Sequence, residues 1–299
     1  MNRSFQRNGL NFNFFVDDFT DPWVKPSTIF MLHGAMANAQ RFRSWVPPLC
    51  RDYRVVRMDM RGHGRSDVPS AEQPLSLSVL VEDVLALMDL LETESVHFVG
   101  NSAGGYVGQH LASQHPHRIK TLALFGSAPG LKNSQALTWL PMVAKVGLRQ
   151  FLADTIDDRF PPHLHGSPQA EEFLDALSQN DIPFIGRFIE HMATQEWADQ
   201  VHKIKCPTLV VVPGAGRIGS ADVYQPMRAK LPRGEVLTYD GERHSICEYL
   251  ADRCVADLRS FLLRHPLTNG TYHGLKCVGS AMPQPNEAQP SYPMPQRIF

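Results

Sequence analysis

Long apolar runs are missing from this chain: nowhere do about eighteen apolar residues stand together, the length a helix needs to cross a bilayer. The opening stretch, which begins with Asn2, Arg3 and Ser4, contains nothing like the apolar centre of a signal peptide. Charge of one sign is missing as well. With 29 Lys and Arg against 30 Asp and Glu the formal net charge is -1, so there is no electrostatic footprint for nucleic acid or an anionic membrane. Cysteine is scarce, with five residues (Cys50, Cys206, Cys247, Cys254 and Cys277), an odd number without disulfide-framework or zinc-ligand spacing. These absences predict a cytoplasmic protein with reduced, mostly buried thiols, no metal, no cofactor, and neither nucleic acid nor membrane as partner. The Asn269-Gly270-Thr271 sequon has meaning only in a secreted chain and is set aside.

Apolar material is ample: 43% of the 299 residues are hydrophobic and 20% charged, enough for one large α/β domain or two small ones. Apolar runs at 28–32, 53–58, 96–99, 121–125, 208–212 and 235–239, most bounded by Gly, Pro or charge, read as strands. Residues 5–6 and 12–16 predict an opening hairpin. Between the runs, Leu77, Leu80, Val81, Val84, Leu85 and Met88 recur at helical spacing, as do Tyr249, Leu250, Val255 and Leu258 near the end. Such alternation predicts an α/β fold, with a mostly parallel eight-stranded sheet and helices on both faces. The strand rhythm stops over 131–199, where Trp139, Phe151, Phe160, Phe173, Phe184, Phe188, Met192 and Trp197 fall in helical segments. This predicts an inserted helical cap between core segments 1–130 and 200–264, its aromatics mostly core and the remainder lining a pocket. Residues 265–299, rich in Pro and Gly, predict a loose tail.

Chemistry concentrates at Phe98-Val99-Gly100-Asn101-Ser102-Ala103-Gly104-Gly105, an apolar strand ending in G-x-S-x-G ahead of a helix. That turn strains the serine backbone and needs Gly100 and Gly104 where a Cβ would clash. Ser102 is the candidate nucleophile. Its base is His244, the best placed of thirteen histidines, in the loop between the last strand and the final helix. An oxyanion hole needs two backbone donors, the amide of Ala103 and one from His33-Gly34-Ala35-Met36, for which Ala35 is chosen; removing one costs about 3 to 4 kcal/mol. The Gly-rich turn 59–66 reads as a loop knit together by its own charges.

In this order and spacing, His33-Gly34, the 59–67 turn, the 100–105 elbow and the Gly241 to His244 loop resemble the α/β-hydrolase superfamily with a helical cap, over about residues 10–264. Asn101 and the Gly104-Gly105 pair resemble the elbow of carbon-carbon bond hydrolases. The stretch 143–159 looks more like 3-oxoadipate enol-lactonase relatives. The pocket is expected to be touched by His33, Gly34, Tyr106, Trp139, Phe184, Phe188 and Met192. The resemblance implies Ser102 and His244 as two triad members. It departs at the third member. The loop after 208–212, where relatives carry the acid, reads Pro213-Gly214-Ala215-Gly216-Arg217-Ile218-Gly219, and the alternative place after 121–125 reads Gly126-Ser127-Ala128-Pro129. Asp222 is the nearest acid, though it also reads as a residue of a helix's first turn. Asp240 and Glu242 sit too close in sequence to orient His244. Arg217 is either a clamp for a substrate carboxylate or a solvated surface charge.

The expected activity is hydrolysis, without cofactor, of an ester, lactone or activated carbonyl in a small to medium organic molecule. Two alternatives stand beside it: lyase, isomerase or cyclase chemistry with His244 as base, and a ligand receptor derived from a hydrolase. A homodimer is left open.

Overall fold

Asn8 and Gly9 both take positive φ, 50° and 76°, the geometry by which a two-residue turn joins twisted strands. They close a hairpin of β1 (Asn2–Arg7) and β2 (Leu10–Asp17). The computed structural model describes residues 2–131, 136–215, 218 and 221–265. Across it, β3 (Thr28–Leu32), β4 (Arg54–Met58), β5 (Val96–Asn101), β6 (Ile119–Phe125), β7 (Thr208–Pro213) and β8 (Gly234–Tyr239) complete an eight-stranded sheet of order β1-β2-β4-β3-β5-β6-β7-β8. β2 pairs antiparallel with β4, and every pairing beyond that is parallel.

Helices α1 (Val46–Leu49), α2 (Leu77–Leu90) and α3 (Ala103–Gln114) follow β3, β4 and β5. Between β6 and β7 lie α4 (Ala136–Val146), α5 (Leu148–Asp154), α6 (Pro168–Ser178) and α7 (Ile182–Ala193), with α8 (Gln225–Lys230) after β7 and α9 (Ile246–Tyr249) and α10 (Ala251–Arg264) after β8. Both sheet faces are therefore covered, which is why the inner strands are apolar throughout. Ile29 and Met31 of β3 pack with Trp45, Leu258 and Phe261 on one face, while Phe30 and Leu32 pack with Val84, Tyr106 and Leu111 on the other.

The helical excursion is zipped at its base. Leu131 donates to the Gln195 carbonyl and Trp197 to that of Pro129, while the Trp197 indole reaches Gln109 of α3 at 2.8 Å. The 59–66 turn is held as its composition predicts. The Asp59 carboxylate accepts from Asn13 (2.8 Å), the Ala39 amide (2.6 Å) and the Arg65 amide (2.9 Å), and Arg61 grips Asp83 at 2.7 and 2.8 Å. Cys50, Cys247 and Cys254 are free and buried and Cys206 is free and half-buried. Among the described residues no helix is long and apolar enough to cross a membrane, and no group of three or more His, Cys, Asp or Glu could hold a metal ion. The Pro-rich segment from 266 on, with Cys277 and the sequon, lies outside the described residues.

Three histidines are packed as neutral rings. The Nε2 atom of His33 accepts from the Met60 amide at 3.0 Å, which leaves Nδ1 to donate to the Gly34 carbonyl at 2.7 Å. Burial holds His33 and His63 at about 3 and His97 at about 4, below the ordinary 6.5. Between those values and 6.5 the unfolded chain takes up protons that the native one refuses, so stability is lost as pH falls, by about 1.4 kcal/mol per pH unit for each ring. We expect the urea midpoint to drop steeply between about pH 6 and 4.5, with a shallower slope in His97→Gln; an unchanged midpoint across that window would contradict the packing described.

Candidate active site

β5 ends at Asn101 and α3 starts at Ala103, so Ser102 alone makes the corner, at φ 49° and ψ -119°. Such a conformation costs an L residue about 1 to 3 kcal/mol, and its neighbours hold it there. The Ser102 amide donates to the Phe125 carbonyl at 3.0 Å, and its own carbonyl accepts from Ser127 Oγ at 2.7 Å and from the Gly105 amide at 2.9 Å. Glycine is required on both sides: a Cβ on Gly100 would sit 2.4 Å from Gly105 Cα, and one on Gly104 would sit 2.1 Å from the Leu32 carbonyl oxygen.

The loop after β3 closes over the corner. A Cβ on Gly34 would lie 3.0 Å from Ser102 Cβ, so Ala35 follows at close range. The Ala37 amide closes the turn on the Gly34 carbonyl at 3.2 Å, with Met36 held at φ 63°. Ala35 and Ala103 both line the cavity that Ser102 faces, and neither amide is engaged in a described loop or side-chain hydrogen bond.

His244 enters from the loop after β8. Its amide donates to the Asp158 carbonyl at 3.3 Å and the Ser245 amide to that of Arg159 at 3.1 Å, tying this loop to the short helical turn before Phe160. Opposite the ring stands Gly126, φ 61°, where a Cβ would lie 3.4 Å from His244 Nδ1. Ser102 and His244 open onto one cavity of about 280 Å³. His244 Nδ1 has no hydrogen-bond partner among the described residues. Burial first, and then the positive charges of Arg41 and Arg159, lower the ring to about 3, with the Ile218 carbonyl pulling the other way.

Several sequence expectations need correction. Asp222 lies exposed in the first turn of the 3-10 segment Ala221–Tyr224, so the carboxylate expected on His244 is not delivered by it. His33 and Gly34 do not line the cavity; His33 is fully buried beneath it, locked between Gly34 and Met60. Phe184 packs edge-on against His63 at 5.7 Å, filling the space above Gly62 instead of facing the cavity. Tyr106, Trp139, Phe188 and Met192 do line it, whereas Phe151, Phe160 and Trp197 are core. Arg217 lies outside the described residues.

Three cavity residues escape sequence reasoning. Arg41 sits 2.5 Å from Glu248 through Nε and hydrogen-bonds Asn101 through Nη1; burial pushes the Glu248 carboxyl up. Arg159 is buried to 4% exposure. The Tyr224 hydroxyl is buried with no hydrogen-bond partner among the described residues. Nothing local marks these three, because Arg159 ends the charged run Asp157-Asp158-Arg159 and reads as surface.

A mostly parallel sheet with a strained serine at the β5–α3 corner defines the class of protein. The family described as alpha/beta hydrolase fold matches residues 27–249, and the chain belongs to it. It is 36% identical over 103 residues to the 2-hydroxymuconate semialdehyde hydrolase of Pseudomonas sp. (strain CF600), a match spanning 33% of this chain and 36% of that protein. To 3-oxoadipate enol-lactonase 2 of Acinetobacter baylyi it is 32% identical over 193 residues, 62% of this chain and 70% of that one. The crystal structure of a hydrolase from Pseudomonas aeruginosa PA01 superposes with a TM-score of 0.78 at 25% identity, covering 87% of this chain and 97% of that one.

The close approach of α3 to β3 yields a direct test. Gly104→Ala places a methyl group against the Leu32 carbonyl, so we expect a loss of about 2 kcal/mol or more of stability. A melting temperature within a degree of the parent would show that the corner is looser than described.

Proposed function

We propose that the protein is a cofactor-independent hydrolase in which Ser102 attacks an ester, lactone or activated carbonyl of a small to medium organic molecule. His244 takes the Ser102 proton and returns it to the leaving group. The amides of Ala35 and Ala103 hold the oxyanion, and water, deprotonated by the same imidazole, releases the acyl product. One observation carries the reading: a strained serine, a neutral imidazole and two unengaged amides share a single cavity. Relatives named as a semialdehyde hydrolase, an enol-lactonase and a pimeloyl-[acyl-carrier protein] methyl ester esterase support it.

The lone Nδ1 of His244 bears on the substrate. Without a carboxylate behind it among the described residues, the imidazolium formed during attack is poorly stabilised, and losing that partner elsewhere costs about 10⁴ in turnover. An enol ester, a lactone or another activated carbonyl lowers the demand on the pair. The same lone nitrogen favours a second reading, non-hydrolytic chemistry with His244 as base. Turnover in ¹⁸O-labelled water separates the two, since hydrolysis puts the label in the acid product and lyase or isomerase chemistry leaves it unlabelled.

Ser102 is expected to take up one fluorophosphonate per chain, read by intact-mass spectrometry, and Ser102→Ala to lose at least about 10³ in kcat. Failure of the folded protein to label would remove the nucleophile from this account. With its ring held at about 3, His244 stays in the base form at every pH above that, so kcat/KM has no acid limb near 6.5. Gly126→Asp sets a carboxylate beside Nδ1 at a left-handed position that Asp tolerates better than most residues. It should favour the charged ring and move the acid limb upward; a parent limb already at 6.5 would contradict the neutral-ring picture.

A further inference from the structure

The charge inventory of the cavity is one-sided. Two cations, Arg41 and Arg159, line it beside the neutral His244 ring, and among the described residues no Asp or Glu does. The loop positions 132–135, 216–217 and 219–220 contain no Asp or Glu either. Arg41 has its counter-charge in Glu248, at 2.5 Å. Arg159 has no ion pair among the described residues. Its Nη1 spends its protons on the Thr155 carbonyl and hydroxyl, at 2.8 and 2.7 Å, and its guanidinium rests 5.6 Å from the Phe151 ring and 5.9 Å from that of Trp139. Among the described residues the acid that favours its charge is Asp158, next to it in the chain, and burial works against that charge.

A buried cation with no ion-pair partner among the described residues carries a desolvation penalty that aromatic faces and two neutral acceptors offset only in part. The arrangement is rational where a ligand brings the missing anion. A planar guanidinium with donors still open toward a cavity is the group best suited to a carboxylate, which it grips through two parallel hydrogen bonds. The position of this cation is also fixed relative to the chemistry. Its own carbonyl accepts from the Ser245 amide and that of Asp158 from the His244 amide, so the guanidinium and the imidazole ride on one hydrogen-bonded segment.

We propose that Arg159 anchors a carboxylate carried by the substrate, so that the preferred substrate is a monoanionic ester, lactone or activated carbonyl compound with its acid group at the Arg159 end of the cavity and its reacting carbonyl at Ser102. This deepens the hydrolase reading and rests on it. The bound carboxylate has a second effect, because it offsets positive charge beside an imidazole that has no carboxylate partner among the described residues.

The test uses the full chain and two series of probes: the mono-p-nitrophenyl esters of succinate, glutarate and adipate, and the uncharged p-nitrophenyl butanoate, pentanoate and hexanoate. We expect at least one anionic ester to exceed its neutral counterpart in kcat/KM. We expect Arg159→Gln to lower that anionic value about 30-fold or more, mainly through KM, while the neutral esters stay within about threefold. Arg159→Lys, which keeps the charge without the fork, should recover part of the preference. Equal losses on both series, or no preference in the parent protein, would overturn the proposal and leave Arg159 as a structural tie. Calorimetric titration of Ser102→Ala with glutarate reads binding apart from turnover: uptake that disappears in the Ser102→Ala, Arg159→Gln double variant supports the anchor even if no ester is hydrolysed, and absence of uptake by Ser102→Ala counts against it. Missing fluorophosphonate labelling, by contrast, sinks the hydrolase reading alone.

Discussion

The structure hangs on one strained residue. Ser102 turns the chain from β5 into α3 within a single backbone step, at φ 49°, and that step is possible only because α3 is pressed against β3 and β5. Gly100 and Gly104 let backbone meet backbone at distances a Cβ forbids, Gly105 leaves room for the Ser127 side chain, and the Phe125 carbonyl and Ser127 hydroxyl pin the corner from the β6 side. Everything else in the cavity is placed by reference to this contact. Gly34 fits the β3 loop against the Ser102 side chain, which brings Ala35 to the rim, and Gly126 makes room for the His244 ring at the end of β6. The strain is stored locally and balanced by burial across the whole sheet.

The electrostatics of the cavity follow from the helices inserted after β6. They contribute apolar walls that keep the His244 ring neutral, and they bring Arg159 to the histidine loop through backbone hydrogen bonds. A neutral base is useful to a serine nucleophile at any ordinary pH. In the proposed reading, a base with no carboxylate behind it among the described residues is weak when it must hold a proton, and the surplus positive charge beside it deepens that weakness until a ligand supplies an anion. In this picture substrate choice and turnover are linked through one electrostatic deficit.

Much of the architecture was legible along the chain. The inner strands are apolar because both faces of the sheet are covered, so each stood out as a run. The G-x-S-x-G segment and the histidine after β8 could be located because their neighbours in sequence are also their neighbours in space. Legibility failed where contact is long-range. His33 looked like a pocket residue by position, and the Met60 amide, 27 residues away, holds its ring underneath instead. Phe184 shares its helix with Phe188, yet only Phe188 turns into the cavity. Asp222 was the one carboxylate near the expected place, but its turn leaves it in solvent.

By itself the sequence determined the order of strands and helices, the serine corner and the glycines it demands, since these depend on periodicity and on steric limits acting between adjacent residues. Only the tertiary structure decided what surrounds His244 Nδ1, which arginine is buried with no ion pair among the described residues, and which aromatics face the cavity. Those facts are set by burial and by contacts between segments more than 80 residues apart, such as Asp158 with His244, and no local pattern encodes them.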